Sequence, residues 1–163
     1  MTAELVNPHP LAHGGSWAGR ASRRGRDPLL EQSPGPDSPV GGLWSYLVEV
    51  LAAIDGPSSA LLATADGDVV AVHGLPRADV ARVARQSRAA FAARTPGGPD
   101  PDRAVDTVEL TLGLRHTVIA SVPSPEGARH LLTVTAQGVS VQVLEAWTRK
   151  LADDIHQALS TTA

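Results

Sequence analysis

Hydrophobic positions along this chain change period several times, and each change marks an element. Leu43, Leu47, Val50, Leu51 and Ile54 recur at helical spacing, and Gly56-Pro57 follows as a stop, so the pattern predicts a helix over about 42–55. Two short apolar runs, Ser59 to Ala65 and Asp68 to His73, flank Asp66-Gly67. Asp-Gly between such runs predicts a β-hairpin closed by a type I′ turn, which needs positive φ at both central positions. Pro76 stands where a helix accepts a residue without an N–H, and Val80, Val83, Ala84, Ser87 and Phe91 then mark one face of a second helix through Arg94. Residues 95–103, TPGGPDPDR, read as a breaker-rich loop. Beyond it Val108, Leu110 and Leu112 alternate with Thr107, Glu109 and Thr111, and HTVIASV and ARHLLTVTA follow across short Gly- or Pro-containing connections. Three successive antiparallel strands fit. Val143, Leu144, Trp147, Leu151, Ile155 and Leu159 form a last helical stripe, with Ser140 as its N-cap and Glu145/Arg149 and Lys150/Asp154 spaced i, i+4 on the wet side.

These elements predict an α+β fold in the order α-β-β-α-β-β-β-α, with helices packed on one five-stranded antiparallel sheet whose edges need covering. They occupy residues 41–163. Residues 1–40 contain five Gly and six Pro with hardly any periodic apolar positions, so they are expected to be a disordered arm. In that arm Arg20, Arg23, Arg24 and Arg26 cluster beside Trp17, which reads either as a solvated tail or as a docking segment.

Composition removes several kinds of chemistry. With 14 Lys plus Arg against 17 Asp plus Glu, the net charge of −3 generates no field that gathers phosphate backbones, so no nucleic acid is expected as a partner. The chain has no cysteine for a disulfide, a thiolate metal site or a thiol nucleophile. The first residues lack the basic and apolar regions of a leader, and no apolar run approaches a bilayer span. A cytoplasmic protein without direct membrane insertion is expected. Asp66 and Asp68 raise the question of a calcium loop, but Val70, Ala71 and Arg77 stand where the third ligand, the glycine and the closing glutamate would fall. The pair therefore belongs to a turn. Of the six histidines only His9 and His13 have helical spacing, and they lie among prolines rather than in a helix; neither a G-x-S-x-G elbow nor a phosphate-binding glycine loop is present. No catalytic residue, metal ligand or cofactor site is assigned, and an enzyme is not expected.

What remains is surface. Arg82, Arg85 and Arg88 form an oblique basic strip on the second helix, either a solvated face or a partner contact, and Ala81, Ala84, Ala89 and Ala92 allow close approach of another helix. The run IDGPSSALLATADGDVVAVHG leading into PRADVARVARQSRAAF, within this element order, resembles the roadblock/LC7 family over residues 43–160, in particular small bacterial members encoded beside Ras-like GTPases. The resemblance implies a roadblock/profilin-like fold and a non-enzymatic homodimer in which the second helix and the third strand meet their copies. Matched onto this chain, that contact involves Val83, Ser87 and Phe91 with Val108 and Leu110 of the strand Thr107 to Leu112. It also implies a signalling adaptor that binds a Ras-like small GTPase and influences its nucleotide state or localisation, with Arg82, Arg85 and Arg88 as the partner-binding candidates. The alternative, a PAS- or GAF-like small-molecule sensor, needs an apolar pocket, for which an aromatic content of 3% offers little lining.

Overall fold

The structure, a computed structural model, describes residues 28–95, 97, 105–125 and 127–162. Three helices form where the periodicity places them: α1 (Gly41–Ala52), α2 (Arg77–Arg94) and α3 (Val141–Thr161). Ser140 caps α3 by accepting from Val143 N–H, and Lys150 pairs with Asp154 across one turn of it. The strands number six, not five. They are β1 (Leu29–Gln32), β2 (Ser58–Thr64), β3 (Val69–Pro76), β4 (Thr107–Leu112), β5 (Arg115–Pro123) and β6 (Arg129–Gln137).

The additional strand, β1, comes from the segment assigned by composition to the arm. It pairs antiparallel with β3, Leu29 opposite Pro76 and Leu30 opposite Leu75. Four residues with one half-buried side chain carry no readable period, so a side-chain contact rather than a pattern holds them. Glu31 accepts from Gly74 N–H through Oε1 (2.9 Å) and from His73 Nδ1 through Oε2 (2.7 Å). Residues 33–40, also assigned to the arm, are described and end in Val40, which is buried in the main core; residues 1–27 and most of the 95–103 loop lie outside the described residues.

All strand pairs are antiparallel, in the order β1-β3-β2-β6-β5-β4. Alternation along each strand divides the sheet into two faces. On one face α1 and α3 cover the main core: Trp44, Leu47 and Leu51 of α1 and Leu144, Leu151 and Ile155 of α3 pack on Leu62, Val118, Leu132 and Val134, all essentially inaccessible. On the other face α2 sits alone over two smaller clusters. Val80 and Ala84 pack with Leu61, Ala63 and Val72; Phe91 packs with Val108, Ile119 and Leu131.

The hairpin at Asp66-Gly67 also differs in detail from expectation. Gly67 has φ +105°, but among the described residues only glycines take positive φ, so Asp66 does not and the turn is not type I′. Thr64 N–H and Asp68 C=O close a three-residue loop instead, with Thr64 Oγ1 accepting from Asp68 N–H. A bulge where Leu62 and Ala63 pair with Ala71 and Val69 takes up the extra residue. Gly74 carries the stricter requirement. With φ +68° its absent Cβ would lie 2.6 Å from the Ser58 carbonyl oxygen, so β2 and β3 approach there only because it is glycine.

Candidate interaction face

Because α2 is the single helix on its face, it cannot cover the whole of it. A groove of about 550 Å³ runs between one flank of α2 and the strands toward β4. Asp79, Arg82, Val83 and Gln86 form its helical wall. Its floor is rich in hydroxyls. Thr133 Oγ1 donates to the buried Ser87 Oγ (2.9 Å), and Thr117 and Thr135 pair across β5 and β6 at 2.8 Å. The far rim is β4, the last strand of the sheet, which among the described residues pairs only with β5. Along that rim and its hairpin Leu110, Leu112 and Leu114 are 37%, 84% and 76% exposed. Three leucines left in water on an unpaired sheet edge, beside an open groove, have the character of an uncovered contact.

The residues expected at a self-contact separate into two sets. Val83 and Leu110 line the groove, and Leu110 is open to solvent. Phe91 (6% exposed) and Val108 are already packed against one another's cluster within the chain, and Ser87 is bonded to Thr133. Their helical and alternating positions were legible, but which of them the chain itself covers depends on where α2 crosses the sheet. Leu112, at the end of the strand expected in the contact, and Leu114, just beyond it, are the most exposed leucines of the rim. Their exposure follows from β4 being terminal in the sheet.

The arginines of α2 lie on both of its flanks. Arg82 faces the groove, bonded to Asp79 (2.8 Å) and Gln86 (3.1 Å). Arg88 is on the opposite flank, where Nη1 reaches the carbonyls of Ala65 and Asp66 in the β2–β3 loop. Arg77, at a helical spacing of eleven from it, shares that side, and Arg85 lies between Arg82 and Arg88, three residues from each. Arg85 is exposed and makes no hydrogen bond among the described residues.

At the base of β4, Thr107 Oγ1 donates to Glu145 of α3 (2.9 Å) and Arg149 bonds both, tying the edge strand to the closed face. Burial raises the Glu145 carboxyl, but the hydrogen bonds from Arg149 and Thr107, with the Arg149 charge, outweigh it and hold the group below its ordinary value. His130, on β6, is pushed down by burial. The histidines are dispersed: His73 on Glu31, His116 on Thr111, His156 on the Pro123 carbonyl. Among the described residues no three His, Asp or Glu side chains gather as metal ligands would.

No protein-family model matches the chain, and no curated protein matches its sequence. Solved structures do match. The gliding protein MglB from Thermus thermophilus superposes with a TM-score of 0.54 at 14% identity, over 80% of this chain and 98% of that one. An MglB structure with tetrameric arrangement gives 0.53 at 14% identity, over 80% and 97%. The fold is that of a roadblock/LC7-type domain. A roadblock/LC7 domain from Streptomyces avermitilis also matches, with a TM-score of 0.48 and 20% identity over 70% of this chain and 95% of that one. This chain carries Leu110 and Leu112 exposed on β4, five arginines on α2, and β1 at the opposite edge of the sheet.

Proposed function

We propose that this chain is a non-enzymatic, homodimeric adaptor that binds a Ras-like small GTPase in the cytoplasm and influences its nucleotide state or localisation. The observation that carries the self-association is the exposure of Leu110 and Leu112 on the unpaired edge of β4, with Leu114 in the turn after it, beside the groove under α2. Two copies related by a twofold axis would pair their β4 edges antiparallel and bring each α2 toward the other's groove, which removes the sheet edge and covers the leucines together. Val83 and Leu110 lie in that contact, while Ser87, Phe91 and Val108 support it from beneath. The MglB structure with tetrameric arrangement shows that a protein of this fold self-associates.

The GTPase reading is supported by the roadblock-type fold and by the resemblance of the first hairpin and second helix to bacterial family members. Arg82, Arg85 and Arg88 are its candidate contacts, since guanidinium forks suit the carboxylates of a protein partner. The adaptor would act by binding one switch state better than the other and shifting its population. A small-molecule sensor fits less well, because the groove lies open along the β4 rim instead of enclosing a ligand.

Sedimentation of the unmutated protein at micromolar concentration should show a dimer, and Leu110→Asp with Leu112→Asp should give a folded monomer. Pull-downs with candidate GTPases in both nucleotide states should favour one state, and Arg82→Ser, Arg85→Ser and Arg88→Ser together should weaken capture while preserving the dimer. A monomeric wild type would overturn the assembly, and capture unaffected by the triple substitution would overturn the assigned contact.

A further inference from the structure

The backbone of β4 limits how two copies of it can pair, and its side chains choose among the registers that remain. Ser121 N–H donates to the Asp106 carbonyl (2.8 Å), and the ladder continues in step from Thr107 opposite Ala120 to Leu112 opposite Arg115. In an antiparallel strand, residues bonded to one neighbour alternate with residues bonded to the other. Val108, Leu110 and Leu112 therefore turn their amides and carbonyls toward β5, while Thr107, Glu109 and Thr111 present theirs at the free edge. Side chains alternate in the same step. Val108 packs with Phe91 and Leu110 lines the groove, both on the α2 face, whereas Thr107 bonds Glu145 of α3 on the other. A twofold axis normal to the sheet matches face to face only if outward-bonded residues meet one another, so the axis passes through a residue and not between two.

An axis at Glu109 pairs residues 107–111 and an axis at Leu110 pairs 108–112, whereas an axis at Val108 or Thr111 leaves half of the strand unpaired. With the axis at Glu109, that carboxylate stands directly opposite its own copy, at the roughly 5.5 Å Cα separation of a bonded pair, and Leu112 falls opposite Asp106. Like charges directly opposite one another destabilise a ladder. With the axis at Leu110, Leu110 meets its copy and Val108 meets Leu112, which gives the exposed Leu112 an apolar neighbour. Glu109 then meets Thr111, whose Oγ1 is bonded to His116 Nδ1 (3.0 Å), so each carboxylate faces a hydroxyl. On the basis of the β4 pairing proposed above, on which this assignment depends, we propose that Glu109 sets the register of the self-contact. It excludes the axis at its own position and places Leu110 on the twofold, with Val108 opposite Leu112.

The chain has no cysteine of its own, so introduced ones report the register. Directly opposed residues of an antiparallel pair have their Cα atoms within disulfide range. Under mild oxidation of the full chain, Leu110→Cys should run on a non-reducing gel at twice the 16.9 kDa of the chain. Thr111→Cys alone couples only with the axis at Thr111, and an equimolar mixture of Thr107→Cys and Thr111→Cys chains couples only with the axis at Thr111 or at Glu109; both should stay at monomer mass. Adding Glu109→Thr to both chains of that mixture removes the opposed charges and should make the doubled band appear. A mixture that stays uncoupled with Glu109→Thr would overturn the role of Glu109. Should Leu110→Cys itself weaken the dimer, a mixture of Val108→Cys and Leu112→Cys chains, opposed in the same register, reads it with Leu110 intact. Sedimentation of the unmutated chain and of the same variants under reducing conditions separates register from assembly. A dimer that couples through Thr111→Cys or the Thr107/Thr111 mixture, or that couples in none of these ways, would overturn the register, whereas an unmutated chain that sediments as a monomer would overturn the self-association beneath it.

Discussion

The two faces of the sheet are built from the same strands and do different work. Under α1 and α3 the side chains are nearly all apolar and fully enclosed, and two helices suffice to close the layer. Under α2 the apolar surface is split into two small clusters by Ser87, Thr133, Thr117 and Thr135, and a groove stays open beside the helix. The first face holds the larger apolar core. The second holds hydroxyls satisfied by one another, a basic helix and uncovered leucines, which suit a surface completed by a partner. An enclosed core and an open groove thus lie on opposite sides of one sheet.

That division can be broken experimentally, and the largest effect is expected on the closed face. Leu132→Ala removes a fully buried side chain between α1, α3 and the sheet, and should cost about 2–5 kcal/mol in denaturant unfolding. A loss under about 1 kcal/mol would mean that this core is loosely packed. On the open face Thr133→Val leaves the buried Ser87 hydroxyl without its donor and should cost about 1–3 kcal/mol. Adding Ser87→Ala should recover much of that, whereas additive losses would show that the pair contributes by packing alone.

Truncation sharpens the contrast from the edge of the sheet. A chain beginning at Pro28 should keep its melting temperature, while one beginning at Val40 loses β1 and the Glu31 bonds to His73 and Gly74, and should melt a few degrees lower. Identical melting of both would show that β1 adds nothing to stability.

The smallest effect is a pH dependence. Burial disfavours the charged form of His130, so the unfolded chain binds a proton that the fold resists. Stability should be full above about pH 6.5, the ordinary histidine value, and decline as pH falls below it toward the depressed folded value. His130→Gln should flatten this slope. The Glu145 contribution, from a carboxyl held low by Arg149 and Thr107, persists to lower pH and is lost only as acid passes below the ordinary carboxylate range. A slope near pH 6 unchanged by His130→Gln would assign it to another group.

The sequence by itself determined the three helices, the five longer strands and the main core, because each repeats its period over enough residues to declare which face is buried. The stripe of α3 placed Leu144, Leu151 and Ile155 in the core, although Val143 at its start is exposed. Tertiary structure decided the rest. β1 has too few residues for a period and is held by Glu31 reaching a backbone amide and a histidine more than forty positions away, a contact that no local pattern records. The proposed contact face was legible only in part: Val83 and Leu110 line the groove, but the chain covers Phe91 and Val108 itself and leaves Leu112 and Leu114 in water. Periodicity states that a side chain is apolar and which way it points. Whether anything lies there to meet it depends on the order of strands in the sheet and on one helix having a face to itself, and both are set by packing between residues distant in the chain.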